Sequence, residues 1–233
     1  MVWLCGVDGF RQKWRAALGN FTTGELRLFD LPLEGILSLS EKPAIIAVDV
    51  PIGLPEVTRP GGRTCDRLAR RLLGPRHGSA FSPIGRIALQ MDNRKEASQL
   101  SIDRGGIGIG VQAWGLRKKL LEIDTLMTPA RQRIVHEVHP EVSFCEMNGG
   151  EPLAHSKKTP DGERQRIKVL KDRGFPESFL APLSTLRSGR DDFLDACAAL
   201  WTAERIYRGI ARRIPNAEEP EYDERGLDMA IWL

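Results

Sequence analysis

Short apolar runs separated by turn-forming residues dominate the first fifty positions of the chain. The runs Met1–Val7, Trp14–Phe21 and Glu25–Leu31 predict three strands, and Thr22–Gly24 predicts a hairpin turn between the last two. The run Ala44–Val50 is almost continuously apolar, which is typical of a strand buried on both faces of a sheet. We therefore expect a mixed or parallel sheet that contains this strand.

Apolar residues at helical spacing dominate most of the remaining chain. Helices are predicted over Cys65–Leu73, Ile84–Leu100, Val111–Leu121, from about Asp161 to Gly174, and over Asp191–Arg213. Two further strands are predicted over Ile134–Phe144 and Leu227–Leu233. This order predicts one α/β domain over residues 1–233, with a helical insertion at residues 58–127.

Length and charge narrow the classes of function. A chain of 233 residues can bury a sizeable core without disulfides or structural zinc. The 34 basic and 31 acidic residues leave a formal net charge of +3, which is too small to indicate a general nucleic-acid binder from bulk charge alone. The sequence contains no run of 18 apolar residues and no signal-peptide pattern, so we expect a cytoplasmic protein with no membrane partner.

The four cysteines are far apart in the sequence and form no CxxC pair. We therefore do not expect a zinc site built on cysteine pairs. We expect reduced thiols, most of them buried. The residues are Cys5, Cys65, Cys145 and Cys197.

Acidic residues lie at the ends of several predicted elements. Asp8 ends the first strand and Asp49 lies within an apolar strand, where a carboxylate is costly unless it is paired or bound to a metal. Several carboxylates that converge repel one another, and a divalent cation relieves that repulsion. The candidate catalytic residues are Asp8, Asp49, Glu137, Asp192 and Asp195.

Structural roles for the same acidic residues stay open at this point. The structural interpretation of Asp8, which precedes Gly9, is a turn residue. The structural interpretation of Asp49 is a residue that caps the end of a strand. Asp192 and Asp195 are three residues apart and share one helix face, which is also typical of a solvated surface. For Asp191 we favour the N-cap of the last helix.

Basic residues cluster in two segments, Arg59–Ser82 and Lys157–Lys168. A solvated helix face and contact with phosphate groups both fit these clusters. The glycine-rich segment Gly105–Gly110 follows no apolar strand, so it does not predict a dinucleotide site. For at least one of His136 and His139 we expect a buried structural role.

The chain resembles the domain-of-unknown-function 429 family in an ordered set of motifs from about residue 4 to the C-terminus. The main motifs are Gly6–Gly9, Val48–Pro55, Glu137–Glu141 and Asp191–Ala196, with Cys65-Asp66, Ala69-Arg70, Gln112–Trp114 and Ser156–Thr159 between them. The family is described as predicted nucleases with a ribonuclease H-like fold. The resemblance implies a mixed sheet of five main strands with helices on both faces.

Position by position, the resemblance implies metal ligands at Asp8, Asp49, Asp192 and Asp195, with Glu137 as an added acidic position. We therefore expect a nuclease that uses two Mg²⁺ or Mn²⁺ ions, with nucleic acid, DNA or RNA, as its partner. Phe10–Lys13 departs from the small residues that the family pattern leads us to expect after Asp8, and a bulky loop there would narrow access to the metal. The candidate substrate-binding residues are Arg67, Arg70, Gln112 and Lys157.

Two other functions remain open from the sequence. Nucleotide-binding proteins of the actin and sugar-kinase kind also place an Asp-Gly pair on a first strand, but they normally carry two related halves, and this chain shows no internal repeat. A non-catalytic nucleic-acid-binding protein with the same fold is the second alternative.

Overall fold

Five strands form one mixed sheet in the computed structural model, which describes all residues from 1 to 233. The strands lie in the order β3-β2-β1-β4-β5. Strands β1, β2 and β3 are antiparallel neighbours, whereas β4 runs parallel to β1 and β5 runs parallel to β4. This is the mixed five-stranded sheet that the resemblance predicted. Its strands are β1 (Trp3–Phe10), β2 (Lys13–Asn20), β3 (Leu26–Leu31), β4 (Ile45–Val48) and β5 (Val135–Glu137).

Ten α-helices accompany the sheet, and five of them lie between β4 and β5, within the segment 58–127 that we call the insertion. Three short 3-10 helices span Gly74–Ser79, Arg131–Arg133 and Ala181–Ser184. A small antiparallel pair is formed by β6 (Arg213–Ile214) and β7 (Ile231–Trp232). The α-helices are α1 (Leu33–Leu37), α2 (Thr64–Leu73), α3 (Arg86–Leu89), α4 (Arg94–Asp103), α5 (Val111–Gly115), α6 (Arg117–Leu126), α7 (Pro140–Met147), α8 (Pro160–Asp172), α9 (Glu177–Leu180) and α10 (Arg190–Tyr207).

Alternation along β1 sends its side chains to two separate cores. Cys5 and Val7 pack in a core that includes residues of α1, α3, α4 and α6. Leu4 belongs to the opposite core, which includes residues of α7, α8, α9 and α10. Helices therefore cover both faces of the sheet, as predicted, and Asp8 shares the face of Leu4.

Gly6 allows α10 to lie directly against the backbone of β1. A Cβ atom at this position would lie 2.0 Å from the amide nitrogen of Leu200 and 2.2 Å from the carbonyl oxygen of Ala196. These neighbours are backbone atoms and cannot rotate away. Only glycine therefore permits this close packing of helix on strand.

We expect Gly6→Ala to lower the free energy of unfolding by about 1–3 kcal/mol or more, because the added methyl group forces α10 away from β1. Urea unfolding measures this change. Gly9→Ala is the matched control in the same strand, since the nearest atom to its Cβ would lie 3.9 Å away. Equal stabilities of the two variants would contradict this account of the packing.

The predicted strand Ile134–Phe144 is wrong beyond its first residues. The strand ends at Glu137, and α7 begins at Pro140. Proline lacks the N–H that a ladder needs, but it suits the first position of a helix, where that N–H would have no intrahelical partner.

Other predicted boundaries also differ from the structure. The helix predicted over Ile84–Leu100 is broken, because Asn93 accepts hydrogen bonds from the amides of Lys95 and Glu96 and so begins α4. The helix predicted over Val111–Leu121 is divided into α5 and α6. The last helix ends at Tyr207, and the final strand contains only Ile231–Trp232.

The predicted N-cap at Asp191 is also wrong. Gly189 occupies the N-cap position with a φ of 74°, a left-handed conformation that favours glycine. Asp191 lies in the first turn of α10, and its carboxylate pairs with the Lys158 ammonium. The left-handed conformation of Gly189 places the N-cap two residues before Asp191, and the sequence pattern gives no signal for this conformation.

The hairpin turn and the state of the cysteines agree with the predictions. The side-chain oxygen of Asn20 accepts hydrogen bonds from the amides of Thr22 and Thr23, and Gly24 has a φ of 74°. All four cysteines are buried free thiols. None of the helices is both long enough and apolar enough to span a membrane.

Candidate functional site

Asp8 and Asp49 lie side by side because β1 and β4 are parallel neighbours. Val7 pairs with Val48, so the next residue on each strand is an aspartate. The amide of Asp49 donates a hydrogen bond to the carbonyl oxygen of Val7 at 2.8 Å, which extends the ladder by one step. Asp8 follows Leu4 at a spacing of four, Asp49 follows Ala47 at a spacing of two, and both of these residues belong to the α10 core, so both aspartate side chains lie on that face of the sheet.

Asp195 brings the third carboxylate from the second turn of α10. Carboxylate oxygens of Asp8, Asp49 and Asp195 all lie within 4.8 Å of one another. Asp8 and Asp195 are buried, with 7% and 1% of their surfaces exposed, and Asp49 is half-buried. We call these three residues the acidic cluster. Its geometry agrees with the spacing expected for carboxylates that share a cation.

Burial and mutual repulsion perturb the acidic cluster electrostatically. Burial, followed by the charges of Asp49 and Asp195, raises the pKa of Asp8 well above its ordinary value. Burial is also the main cause that raises the pKa of Asp49 to about 6 and the pKa of Asp195. Bringing these carboxylates together therefore costs free energy at neutral pH, and a positive charge placed among them would recover it.

One oxygen of the acidic cluster lacks any partner. Oδ2 of Asp195 accepts a hydrogen bond from Nζ of Lys157 at 2.5 Å, whereas Oδ1 is buried and accepts none. Oxygen ligands of this kind suit hard divalent cations such as Mg²⁺ and Mn²⁺. The residues present therefore fit a divalent cation held by the acidic cluster.

The acidic cluster lies in a cleft of about 520 Å³, and three lysines from two separate parts of the chain line the same cleft. Lys157 and Lys158 come from the loop before α8, and Lys119 comes from α6 of the insertion. The Lys119 ammonium donates a hydrogen bond to the carbonyl oxygen of Lys13 and lies 4.2 Å from the ring centroid of Trp14. The cleft thus places positive side chains around the carboxylates.

Glu137 lies in the same cleft but is engaged by Arg63. The Arg63 guanidinium, fully buried, donates to both carboxylate oxygens of Glu137 at 2.6 and 2.8 Å, and to Asp66 Oδ1 at 2.7 Å. Glu137 also accepts from the amide of Ile52 at 2.7 Å. Burial raises the pKa of Glu137 to about 7, against the opposing effect of Arg63. We call Arg63, Asp66 and Glu137 the Arg63 network.

The Arg63 network fixes the turn that follows Asp49. Arg63 donates to the carbonyl oxygens of Ile52 and Gly53 at 3.0 and 3.2 Å, in addition to its carboxylate partners. Cys65 lies close enough to Asp66 and Glu137 to form a second set of metal-ligand type. Since the guanidinium already pairs with both carboxylates, the arrangement is that of a buried ion-pair network.

The structure separates the sequence-predicted site residues into two groups. It brings Asp8, Asp49, Glu137, Asp195, Gln112 and Lys157 to the cleft. Asp192 is half-buried and is not part of the acidic cluster, and Arg67 and Arg70 do not line the cleft. Instead, Arg67 binds Gly62 and Thr64, and Arg70 binds the carbonyl oxygen of Ala80, so both arginines hold local backbone.

Sequence reasoning missed two residues of the cleft. Arg63 carried a local signal, because Asp66 follows at a spacing of three and accepts from the Arg63 amide at the start of α2. No such signal exists for Lys119, which reaches the cleft only through the packing of the insertion on the sheet. The neighbouring Lys118 is exposed, so composition alone does not distinguish the two.

The two histidines have different surroundings. His136 packs edge-to-face against Trp232 with centroids 5.1 Å apart, and burial lowers its pKa to about 4. The His136 ring is packed but only half-buried, so it fits a structural role without being the buried histidine that was expected. His139 lines the cleft, and its Nε2 lies 3.2 Å from the carbonyl oxygen of Ser79.

The raised carboxylate pKa values predict that the cation-free protein loses stability as the pH rises. Because protonation favours the folded state, the contribution of Asp49 is fully present below its unfolded pKa of about 3.9 and is lost as the pH passes through about 6. We expect a loss of roughly 1–3 kcal/mol between pH 4.5 and pH 7.5. Denaturant unfolding in a chelator measures it, and Asp49→Asn should flatten the profile. The same slope in both proteins would contradict the prediction.

Comparison with protein families identifies one match. The family model described as "Protein of unknown function (DUF429)" matches residues 6–220, a segment that contains the acidic cluster, the Arg63 network and Lys157. Searches of curated proteins and of solved structures found no match. Because the matched segment covers most of the chain, this protein belongs to the DUF429 family.

Proposed function

We propose that this protein is a metal-dependent nuclease that hydrolyses phosphodiester bonds of nucleic acid. The observation that carries the proposal is the convergence of Asp8, Asp49 and Asp195, from three separate elements, in a cleft that also contains lysines. Such an arrangement suits a phosphate substrate, because the carboxylates hold a cation and the lysines offset the phosphate charge.

The acidic cluster would hold one Mg²⁺ or Mn²⁺ ion. When bound, such an ion supplies Lewis-acid polarisation of a phosphoryl oxygen and lowers the pKa of a coordinated water. The three carboxylates contribute hard oxygen ligands and a negative charge that favours a divalent cation over a monovalent one. A second ion that uses Asp192 stays a prediction, since Asp192 is not part of the acidic cluster.

The lysines and Gln112 would bind and orient the substrate. Lys119 and Lys157 approach the acidic cluster from different elements, and Gln112 adds a side-chain amide at the edge of the cleft. Lys158 is exposed at the cleft, where its contact with phosphate would replace its pairing with Asp191. Phosphate contacts of this kind position a nucleic-acid strand without recognising its base sequence.

The bulky segment after Asp8 does not line the cleft. The guanidinium carbon of Arg15 lies 3.9 Å from the ring centroid of Phe10, and Arg15 donates a hydrogen bond to the carbonyl oxygen of Gly189. Neither Phe10 nor Arg11 is among the residues that line the cleft. The side chains of Phe10 and Arg15 instead brace the start of α10.

Nuclease assays test the proposal directly. The protein is incubated with Mg²⁺ or Mn²⁺ and with single-stranded DNA, duplex DNA, single-stranded RNA or an RNA–DNA hybrid. We expect cation-dependent cleavage of at least one substrate and loss of cleavage in Asp49→Asn. Asp92→Asn is the control, because the side chain of Asp92 is fully exposed.

Two results would contradict the nuclease proposal. Cleavage that persists in Asp49→Asn or in a chelator would mean that the acidic cluster is not the active site. Binding of all substrates without cleavage of any would instead support the non-catalytic alternative. No observation favours the nucleotide-binding alternative of the actin and sugar-kinase kind, since the structure has one five-stranded sheet rather than two related halves.

A further inference from the structure

Lys157 is the nearest positive charge to the acidic cluster. Its Nζ lies 2.5 Å from Asp195 Oδ2, and its ammonium also interacts electrostatically with Asp8 and Asp49. Only 32% of the side chain is exposed, so much of it is withdrawn from water. An ammonium in this position satisfies part of the charge that a metal cation would otherwise neutralise.

The loop that carries Lys157 is held by contacts that do not use the Lys157 side chain. Arg166 donates to the carbonyl oxygen of His155 at 3.2 Å, and the hydroxyl of Thr159 donates to the carbonyl oxygen of Ser156 at 2.8 Å. Gly162 of α8 packs closely on Ser156, because a Cβ atom added to Gly162 would lie 1.9 Å from the carbonyl oxygen of Ser156. Other residues therefore set the backbone position of the loop. The Lys157 ammonium is not needed to hold the loop, so its effect on the acidic cluster is electrostatic.

The formal charges of the acidic cluster and Lys157 together favour a divalent cation. Three ionised carboxylates carry three negative charges, and Lys157 reduces the total to two. A divalent cation would bring this set to neutrality, whereas a trivalent cation would leave it positive. Asp192 and Lys119 also interact electrostatically with Asp8. Their charges have opposite signs, so together they leave the net charge near Asp8 unchanged.

We propose that Lys157 is an internal counter-ion that competes with the metal cation and matches the charge of the acidic cluster to a divalent ion. The inference rests on the proposed function, because it takes the acidic cluster as a cation site. Lys157 therefore acts as a positioning and specificity residue of that site as well as a candidate phosphate contact. Its removal should strengthen cation binding, which is the opposite of what removal of a ligand does.

The expected change scales with the charge of the cation. Coulomb repulsion from one ammonium at close range predicts that Lys157→Met binds Mn²⁺ at least about tenfold more tightly than the wild type. Because the repulsion is proportional to ion charge, a tenfold gain for Mn²⁺ corresponds to a gain of about thirtyfold for Tb³⁺. A purely structural effect of the substitution would not follow the charge of the ion.

Titration calorimetry at pH 8 with Mn²⁺ and with Tb³⁺ tests the inference on the full chain. The variants are Lys157→Met, the charge-conserving Lys157→Arg, and Lys158→Met as the matched control. Lys158 is the adjacent lysine, but it pairs with Asp191 outside the acidic cluster. We expect Lys157→Arg and Lys158→Met to remain within about threefold of the wild type, because neither removes a charge beside Asp195.

The outcomes separate this inference from the proposed function. If the wild type binds Mn²⁺ and Lys157→Met binds it no more tightly, the counter-ion role is wrong while the cation site stands. Equal gains for Mn²⁺ and Tb³⁺, or the same gain in Lys157→Arg, would also overturn the role. If no protein in the series binds either cation, both the inference and the proposed cation site are wrong.

Discussion

Asp8→Asn is expected to weaken Mg²⁺ or Mn²⁺ binding at least about 100-fold while it leaves the fold intact, because a hard cation loses a charged oxygen ligand. Asp8 lies on the central strand of the sheet, and the neighbouring carboxylates come from Asp49, directly after β4, and from Asp195 of α10. In the cation-free protein the same substitution removes a buried charge that two other carboxylates repel. The apo protein should therefore become more stable at neutral pH.

Calorimetric titration and urea unfolding measure the two effects of Asp8→Asn together. Asp191→Asn is the matched control, because Asp191 lies in the first turn of α10 and pairs with Lys158 outside the acidic cluster. It should leave cation affinity almost unchanged. Unchanged cation affinity in Asp8→Asn would show that the cation site is elsewhere. A loss of apo stability at neutral pH would instead contradict the repulsion among the three carboxylates.

Arg63→Met is expected to lower the free energy of unfolding by about 3–5 kcal/mol, because it leaves buried carboxylates without their partner. Arg63 is fully buried, and both Asp66 and Glu137 are less than 5% exposed. The carbonyl oxygens of Ile52 and Gly53 lose a donor at the same time. The loss should be smaller at pH 5.5 than at pH 8. Arg63 lowers the pKa of Glu137, so without Arg63 the Glu137 carboxyl takes up a proton more readily as the pH falls, which removes one of the unpaired charges.

Denaturant unfolding at pH 5.5 and pH 8 measures this effect. Arg67→Met is the matched control, since Arg67 lies four residues further along the chain, is exposed, and should change stability by less than about 0.5 kcal/mol. The double variant Arg63→Met with Glu137→Gln should recover part of the loss. If the double variant is no more stable than Arg63→Met, the unpaired charge of Glu137 is not the cause.

The Arg63 network changes the interpretation of Glu137. From the sequence, Glu137 was a candidate catalytic residue at the edge of the acidic cluster. In the structure both of its oxygens accept from Arg63, and one also accepts from the backbone of the turn after Asp49. Its clearest physical effect is to hold that turn, and thereby to support the position of Asp49; a direct catalytic role stays a prediction.

Local pattern was sufficient to predict the central sheet and the two strand-borne aspartates. Alternation along Trp3–Phe10 and the apolar run that ends at Asp49 specify which side chains share a face, because successive residues of a strand point to opposite faces. The family resemblance implied a mixed sheet of five strands with helices on both faces, which the structure confirms, whereas the strand order came from the structure. Gly6 was part of one motif, but its role in packing against Leu200 required the position of α10.

Tertiary packing decided the rest of the candidate site. Asp192 and Asp195 are equivalent by helical spacing, and only the orientation of α10 on β1 distinguishes the one whose carboxylate joins the acidic cluster. Arg63 and Glu137 are 74 residues apart, so no local pattern predicts that they form an ion pair. Periodicity reports which face a residue occupies within its own element, whereas the partner across a cleft depends on how separate elements pack. For this protein, the sequence alone therefore specified the carboxylates on the sheet, and the packing of α10, the insertion and the Lys157 loop determined which charges surround them.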